Sequence, residues 1–113
     1  MMTALNMPIP DKCVTRYLDS LVGKIYKILP MKENNTAFLQ QYVEWKIREM
    51  LAFRDFVRAV GDDPDFVYLI VIMYALANQE QPVESVRHDV FEAIRICKRL
   101  KKHCGTAEVD KHE

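Results

Sequence analysis

The residues of this 113-residue chain that are best suited to hold a metal ion share one face of a predicted helix. Glu84, His88 and Glu92 follow one another at intervals of four residues, so they lie above one another on a helix. Two carboxylates and an imidazole are common ligands of divalent cations. Di-iron helical bundles, however, use a Glu-x-x-His pair together with carboxylates from facing helices. A helical wheel places the three residues opposite the apolar positions Val90 and Ile94, so we interpret them as a solvated polar stripe.

Other chemistry has little support. His103, Cys104 and His112 lack the spacing of a zinc site. The chain has only three glycines, which excludes a G-x-G-x-x-G or Walker A phosphate loop, and neither serine lies in a G-x-S-x-G motif. We therefore predict no catalytic residues, no metal, no cofactor and no small-molecule ligand, which favours a protein that is not an enzyme.

The strongest charged feature is the segment RICKRLKK at residues 95–102, which carries five positive charges. Arg95, Arg99 and Lys102 lie on one helix face and form a candidate phosphate patch, so nucleic-acid binding is the first alternative function. A small metalloprotein or enzyme that uses Glu84, His88 and Glu92 is the second. The chain as a whole has 16 basic and 16 acidic residues, which removes any overall attraction to phosphate. The cations can instead pair with an acidic turn at the same end of the molecule, formed by Asp62, Asp63 and Asp65. The sequence leaves both interpretations open and favours the second.

A row of apolar residues on the second predicted helix points to a protein interface. This aromatic stripe consists of Phe38, Trp45, Ala52 and Phe56, and it lies beside the heptad positions that face the core. Large aromatic residues are favoured anchors of protein interfaces. The stripe either packs under an amino-terminal arm or contacts a homodimer partner or another protein. We predict a non-catalytic interaction module that uses this stripe.

One polar residue, Lys46, occupies a core position of that heptad, between Val43 and Met50. A single polar core residue can set register or oligomeric state. A lysine can also extend its stem to bring its charge to the surface, and this is the interpretation we favour.

The elements that position these residues are four predicted helices, at about 10–29, 36–60, 64–78 and 82–104. Pro30 is expected to end the first helix, Asp63-Pro64 to begin the third, and Gly105 to end the fourth. β-branched residues in the third leave a buried strand as its competing interpretation, but the length of the segment and the neighbouring helices favour a helix.

Short connections make successive helices antiparallel, so the predicted fold is an all-α, up-down-up-down antiparallel four-helix bundle. We expect a single domain, residues 1–113, with a flexible arm at 1–9 and a polar tail at 105–113. The third helix, apolar on nearly every side, should be the most buried. Its apolar run is too short to cross a bilayer, which takes roughly 20 residues. With no recognisable secretory signal and three scattered cysteines, we expect a cytoplasmic protein without a membrane partner.

Overall fold

The computed structural model describes residues 11–56, 63–78 and 80–112, with side chains described for 13–55, 63–78 and 80–103. These parts of the chain contain five helices and no strand. The helices are α1 (Asp11–Tyr26), α2 (Ile28–Asn34), α3 (Thr36–Phe56), α4 (Pro64–Leu76) and α5 (Val83–His112). The prediction of an all-α fold is confirmed, and α4 is a helix rather than a strand.

Helices α1 and α5 run in opposite directions. Asp19, early in α1, accepts a hydrogen bond from Lys101, late in α5, at 2.8 Å. Tyr26, at the end of α1, packs edge-to-face against Phe91, earlier in α5. Because the position in α5 falls as the position in α1 rises, the two helices are antiparallel.

The remaining neighbours are antiparallel for the same kind of reason. At one end of α3, Phe53 packs against Tyr17 of α1 and Phe66 of α4. Towards the other end, the Tyr42 hydroxyl donates a hydrogen bond to the Lys24 carbonyl of α1. With α4 also packed on α5, the long helices form the predicted bundle in the cyclic order α1, α3, α4, α5.

One core of apolar side chains fills the space between the helices. Every buried side chain in the described set is apolar. The members that are almost fully enclosed and largest are Leu18, Ile25, Ile28, Leu39, Val43, Met50, Phe66, Leu69, Met73, Leu76, Ile96 and Leu100. Burying each such side chain contributes roughly 1.5–3 kcal/mol, so this core is the main source of stability.

The expected end of the first helix at Pro30 is wrong. The helix is interrupted earlier, at Lys27, and Pro30 lies inside α2. The ring of a proline clashes with the carbonyl four residues before it, here that of Tyr26, and the proline has no N–H to donate. The break therefore falls upstream of Pro30, and residues expected to be a loop form the short helix α2.

Gly105 does not end the last helix, because α5 continues to His112. Glycine lowers helix stability by about 1 kcal/mol relative to alanine without forbidding a helix. The arm at 1–9, the end of the second predicted helix at 57–60, Gly61 and Asp62 lie outside the described residues.

Helix α4 has the largest share of buried residues among the described helices, six of thirteen, as expected, but only one side of it is buried. Phe66, Leu69, Met73 and other residues of one face are enclosed in the core, while the opposite face is open to solvent. A helix at the corner of a four-helix bundle contacts only its neighbours, so its apolar composition does not by itself bury the outer face. Within the described parts of the chain, no helix is both long and apolar enough to cross a membrane.

Candidate functional site

The outer surface of α4 is an apolar helix face without charge. Its start is well defined: Asp63 caps the helix by accepting a hydrogen bond from the Asp65 backbone N–H at 2.8 Å, and Pro64 occupies the first turn. From residue 66 to residue 79 the sequence has no charged side chain. The four large apolar residues that point outward are 37–57% exposed. We call this surface the α4 face, and with the exposed alanine beside them its members are Val67, Tyr68, Val71, Tyr74 and Ala75.

The α4 face continues onto α3 on one side. Tyr74 lines a shallow groove of about 250 Å³ together with Ile47 and Leu51 of α3, and Glu44 and Arg48 form the polar part of its wall. Leu51 is itself more than one third exposed. The apolar surface therefore extends onto Ile47 and Leu51 of α3 and ends at the charged residues Glu44 and Arg48.

On the other side, the face is bordered by a pair of opposite charges on α5. The Arg95 guanidinium donates two hydrogen bonds to the carboxylate of Glu92, at 3.1 and 2.6 Å. These bonds lower the pKa of Glu92, which therefore stays ionised at neutral pH. Arg95 also interacts electrostatically with Tyr68 of the α4 face. The border thus carries one charge of each sign.

The aromatic stripe Phe38, Trp45, Ala52 and Phe56 lies on α3, and we call it the α3 stripe from here on; its described side chains are also on the surface. Trp45 is 59% exposed, Phe38 and Ala52 are exposed, and the Phe56 side chain lies outside the described residues. Trp45 borders a groove whose other walls are Gln41, Glu44 and Arg48. The stripe is therefore narrow and flanked by charged and polar groups, unlike the α4 face.

Lys46 lies at the edge of the core rather than inside it. Its side chain is 16% exposed, its ammonium group lies 3.7 Å from a carboxylate oxygen of Glu49, and the same group lies over the Tyr42 ring at 5.1 Å. Ile47, which the heptad pattern placed outside the core, is buried instead. These contacts agree with a lysine whose charge reaches the surface.

The basic end of α5 and the acidic start of α4 meet, as the interpretation by internal pairing predicts. Arg99 donates two hydrogen bonds to Asp65, at 2.7 and 2.9 Å, and His103 Nδ1 lies 3.6 Å from a carboxylate oxygen of Asp63. The Arg99 hydrogen bond holds the pKa of Asp65 below its usual range. Arg95 and Arg99, two of the three patch residues, are thus engaged within the chain, and Lys102 also has a contact of its own.

A second part of the basic segment ties α5 to α1. Lys98, Lys101 and Lys102 line a shallow groove of about 430 Å³ opposite Leu18 and Asp19. Lys101 crosses it to reach Asp19 at 2.8 Å. A helical segment with five cations is in this way held from both sides by carboxylates of neighbouring helices.

Potential metal ligands form one group that the sequence interpretation did not bring together. Donor atoms of Asp63, Asp65 and His103 lie within 4.8 Å of one another. Both oxygens of Asp65 already accept hydrogen bonds from Arg99, and Asp63 caps α4, so the group is accounted for as an ion-pair cluster. In the stripe Glu84, His88 and Glu92, the His88 side chain is 78% exposed and Glu92 binds Arg95.

Sequence reasoning missed the α4 face because it treated an apolar helix as a buried one. The signal was present: fourteen consecutive uncharged residues include two tyrosines, Tyr68 and Tyr74, whose hydroxyl groups favour contact with water.

Comparisons with known proteins add no functional information. No family model, curated protein or solved structure matches this chain. The function is therefore argued from the surface of the bundle.

Proposed function

We propose that this chain is a non-catalytic helical interaction module that docks another protein chain through the α4 face. The observation that supports the proposal is the exposure of Val67, Tyr68, Val71 and Tyr74, by 37–57%, on a helix face with no charged residue. Contiguous apolar surface of this kind on a soluble protein marks an interaction site or an aggregation liability.

The size of the face is sufficient to favour binding. Fully burying a valine or a comparable apolar side chain contributes roughly 1.5–3 kcal/mol, and each of these side chains is about half exposed. Covering all four therefore yields on the order of 3–6 kcal/mol before the entropic cost of association is subtracted. Leu51 and the apolar part of the groove beside Tyr74 add to this area.

The α3 stripe is the second surface of the proposed module. Trp45 has the chemistry of an anchor residue, but the groups around it are polar or charged. We rank it below the α4 face because Glu44 and Arg48 lie directly beside Trp45 and would be desolvated with it, whereas they lie only at the border of the α4 face.

Nucleic-acid binding through Arg95, Arg99 and Lys102 ranks lower still. A phosphate would have to replace the carboxylates of Glu92 and Asp65, which already hold the two arginines. Binding of this kind would weaken steeply with added salt. A titration of labelled single- and double-stranded oligonucleotides at low salt tests it directly, and a flat response removes it.

Site-specific photo-crosslinking in cells of the source organism tests the proposed function. A benzophenone amino acid is placed at Tyr74, at Trp45, or at Tyr26, an exposed aromatic residue of α1 that belongs to neither surface and serves as the control. We expect adducts of higher mass from position 74, their loss when Val71→Glu is added, and none from position 26. Adducts from position 45 alone would show that the docking surface lies on α3 instead. The absence of adducts from both positions would contradict the proposal of an interaction module.

A further inference from the structure

We propose that the occupant of the α4 face is a second copy of this chain, bound with the two α4 helices antiparallel and with Val71 on the twofold axis. This inference rests on the proposed docking function and names its partner. Three observations support it: the face has no charged residue, the order of side chains along it is nearly symmetric, and the charges that border it are complementary.

The absence of charge makes the face compatible with itself. In a symmetric dimer the same patch is used on both subunits, so any charged residue near the axis meets its own copy. From Phe66 to the end of the helix at Leu76, α4 has no charged residue. Most surface helices fail this condition because their outer faces carry charged residues.

The order of side chains along the face is nearly symmetric about Val71. Tyr68 and Tyr74 lie three residues on either side of it, and Val67 and Ala75 lie four residues on either side. An antiparallel copy therefore sets Tyr68 opposite the partner's Tyr74, and Val67 opposite the partner's small Ala75, while Val71 meets its own copy. The two ends of the contact are therefore equivalent, each with one pair of tyrosines and one valine opposite an alanine.

The direction follows from the charges at the start of the helix. A parallel pair would bring Asp63 and Asp65 close to the same two carboxylates of the partner and would align two helix dipoles. An antiparallel pair separates the carboxylates by the length of the helix and lets the dipoles oppose each other.

The border on α5 becomes complementary in the same arrangement. Asp65 is level with Arg99, to which it is hydrogen-bonded. Moving six residues along α4 to Val71, about 9 Å, and the same distance back along the antiparallel α5 leads to Ala93. Glu92 and Arg95 lie on either side of this level. The twofold axis therefore places Glu92 near the partner's Arg95, and Arg95 near the partner's Glu92.

The size of the contact predicts a reversible dimer. Helix α4 is about 20 Å long, and one such helix with its borders buries an area at the low end of specific interfaces, below roughly 1,200 Å² in total. We expect dissociation in the micromolar range, so the mass of the species should depend on concentration.

Sedimentation velocity of the purified full chain tests the dimer. We expect the weight-average mass to rise from 13.3 kDa towards twice that value with increasing concentration. Val71→Glu, at a position 57% exposed, should abolish the rise at unchanged circular dichroism, whereas Trp45→Glu, at a position 59% exposed, should leave it unchanged. A monomer at every concentration, or a dimer that is lost with Trp45→Glu and kept with Val71→Glu, overturns the inference.

Cysteine cross-linking tests the register. In a background with Cys13→Ser and Cys104→Ser, Val71→Cys should form a disulfide with its own copy. Val67→Cys should not, because the antiparallel arrangement offsets the two copies of this residue by about 12 Å along the axis, beyond the roughly 7 Å that a disulfide spans. Equal cross-linking at both positions would indicate a parallel pair and contradict the arrangement.

The two proposals fail in different ways. A purified chain that stays monomeric while position 74 forms adducts with a different protein in cells overturns the second copy and keeps the docking function. No adducts and no dimer would remove both.

Discussion

Replacing Tyr17 by phenylalanine should increase the free energy of unfolding, although it removes a polar group. The Tyr17 ring stacks on Phe53 with ring centroids 3.8 Å apart. Its hydroxyl is enclosed and has no hydrogen-bond partner within the described parts of the chain. Burial, with a smaller contribution from the negative charge of Glu49, raises the pKa of this hydroxyl. The ring is thus used for packing, while the hydroxyl is taken out of water without compensation.

The magnitude follows from the penalty for an unpaired polar group. A buried donor or acceptor without a partner costs about 1–3 kcal/mol. Because the residue as a whole is only partly enclosed, we take the lower end, a gain of about 1 kcal/mol for Tyr17→Phe. For a domain of this size the gain corresponds to a rise in Tm of roughly 4 °C. The stacked ring, and hence the apolar contact with Phe53, is unchanged by the substitution.

Tyr42→Phe is the matched control. The chemical change is the same, but the Tyr42 hydroxyl donates a hydrogen bond to the Lys24 carbonyl at 3.0 Å. Its removal should lower the free energy of unfolding by about 1 kcal/mol. Relative to the unsubstituted protein, one variant should therefore be more stable and the other less stable, so that their free energies of unfolding differ from each other by about 2 kcal/mol.

Urea unfolding followed by far-ultraviolet circular dichroism measures both variants, at a protein concentration low enough for the monomer to dominate. The slope of the free energy of unfolding against urea concentration should be the same for all three proteins, so that differences in the midpoint report differences in stability. If Tyr17→Phe is destabilised as much as Tyr42→Phe, the Tyr17 hydroxyl has a partner in solution and the reasoning is refuted.

Two further substitutions and one thiol reagent test other parts of the structure. Gly23→Ala should raise the free energy of unfolding by up to about 1 kcal/mol, because Gly23 lies inside α1 and an added Cβ meets nothing within 4 Å. A lower free energy of unfolding in a urea titration would contradict the open space at this position. Asp65→Asn should lower stability at neutral pH by no more than about 1 kcal/mol, since the ion pair is partly exposed. Because the folded-state pKa of Asp65 is lowered, its contribution is present above the unfolded-state pKa and is lost as the pH falls through the folded-state value, so the two proteins should converge in acid; a difference independent of pH would refute the assignment. In a Cys104→Ser background, a thiol reagent should modify exposed Cys13 quickly and Cys97 only on unfolding, because burial raises the pKa of Cys97 to about 12; rapid modification of two thiols would show that the core opens readily.

The sequence predicted the parts of the fold that depend on local patterns. Apolar residues at alternating intervals of three and four place the buried faces of α1 and α3, as at Leu18, Ile25, Leu39 and Met50. The Asp63-Pro64 pair marks the start of α4, and the structure confirms the cap. Short connections imply antiparallel neighbours.

The errors have a common physical origin. A local sequence signal such as a proline or a glycine is compatible with more than one structure, and tertiary packing decides which of them forms. Pro30 interrupts the helix at the carbonyl four residues earlier, so the boundary lies at Tyr26 rather than at the proline. Gly105 permits a C-terminal turn without requiring one. The heptad assigned a core position to Lys46, although a shift to Ile47 buries more apolar surface.

The candidate site could be inferred from the sequence only in part. The exposed position of Trp45 and Phe38 follows from a wheel that has one apolar stripe too many. The α4 face does not, because a helix apolar on all sides is equally typical of a fully buried one. Which side stays open is decided by the number of neighbours, and that number is a property of the assembled bundle.

The pairing of the first long helix with the last sets a condition on how the protein is made. Asp19 and Lys101, which join α1 to α5, are 82 residues apart in the chain. At translation rates of about 5–20 residues per second, α1 remains without its main partner for roughly 4–16 s after it is synthesised. During that interval the apolar side of α1, including Leu18 and Ile25, is uncovered on the growing chain. Among the described helices, α1 therefore waits longest for its main partner, and a chain released before α5 would leave the side of α1 that α5 covers exposed.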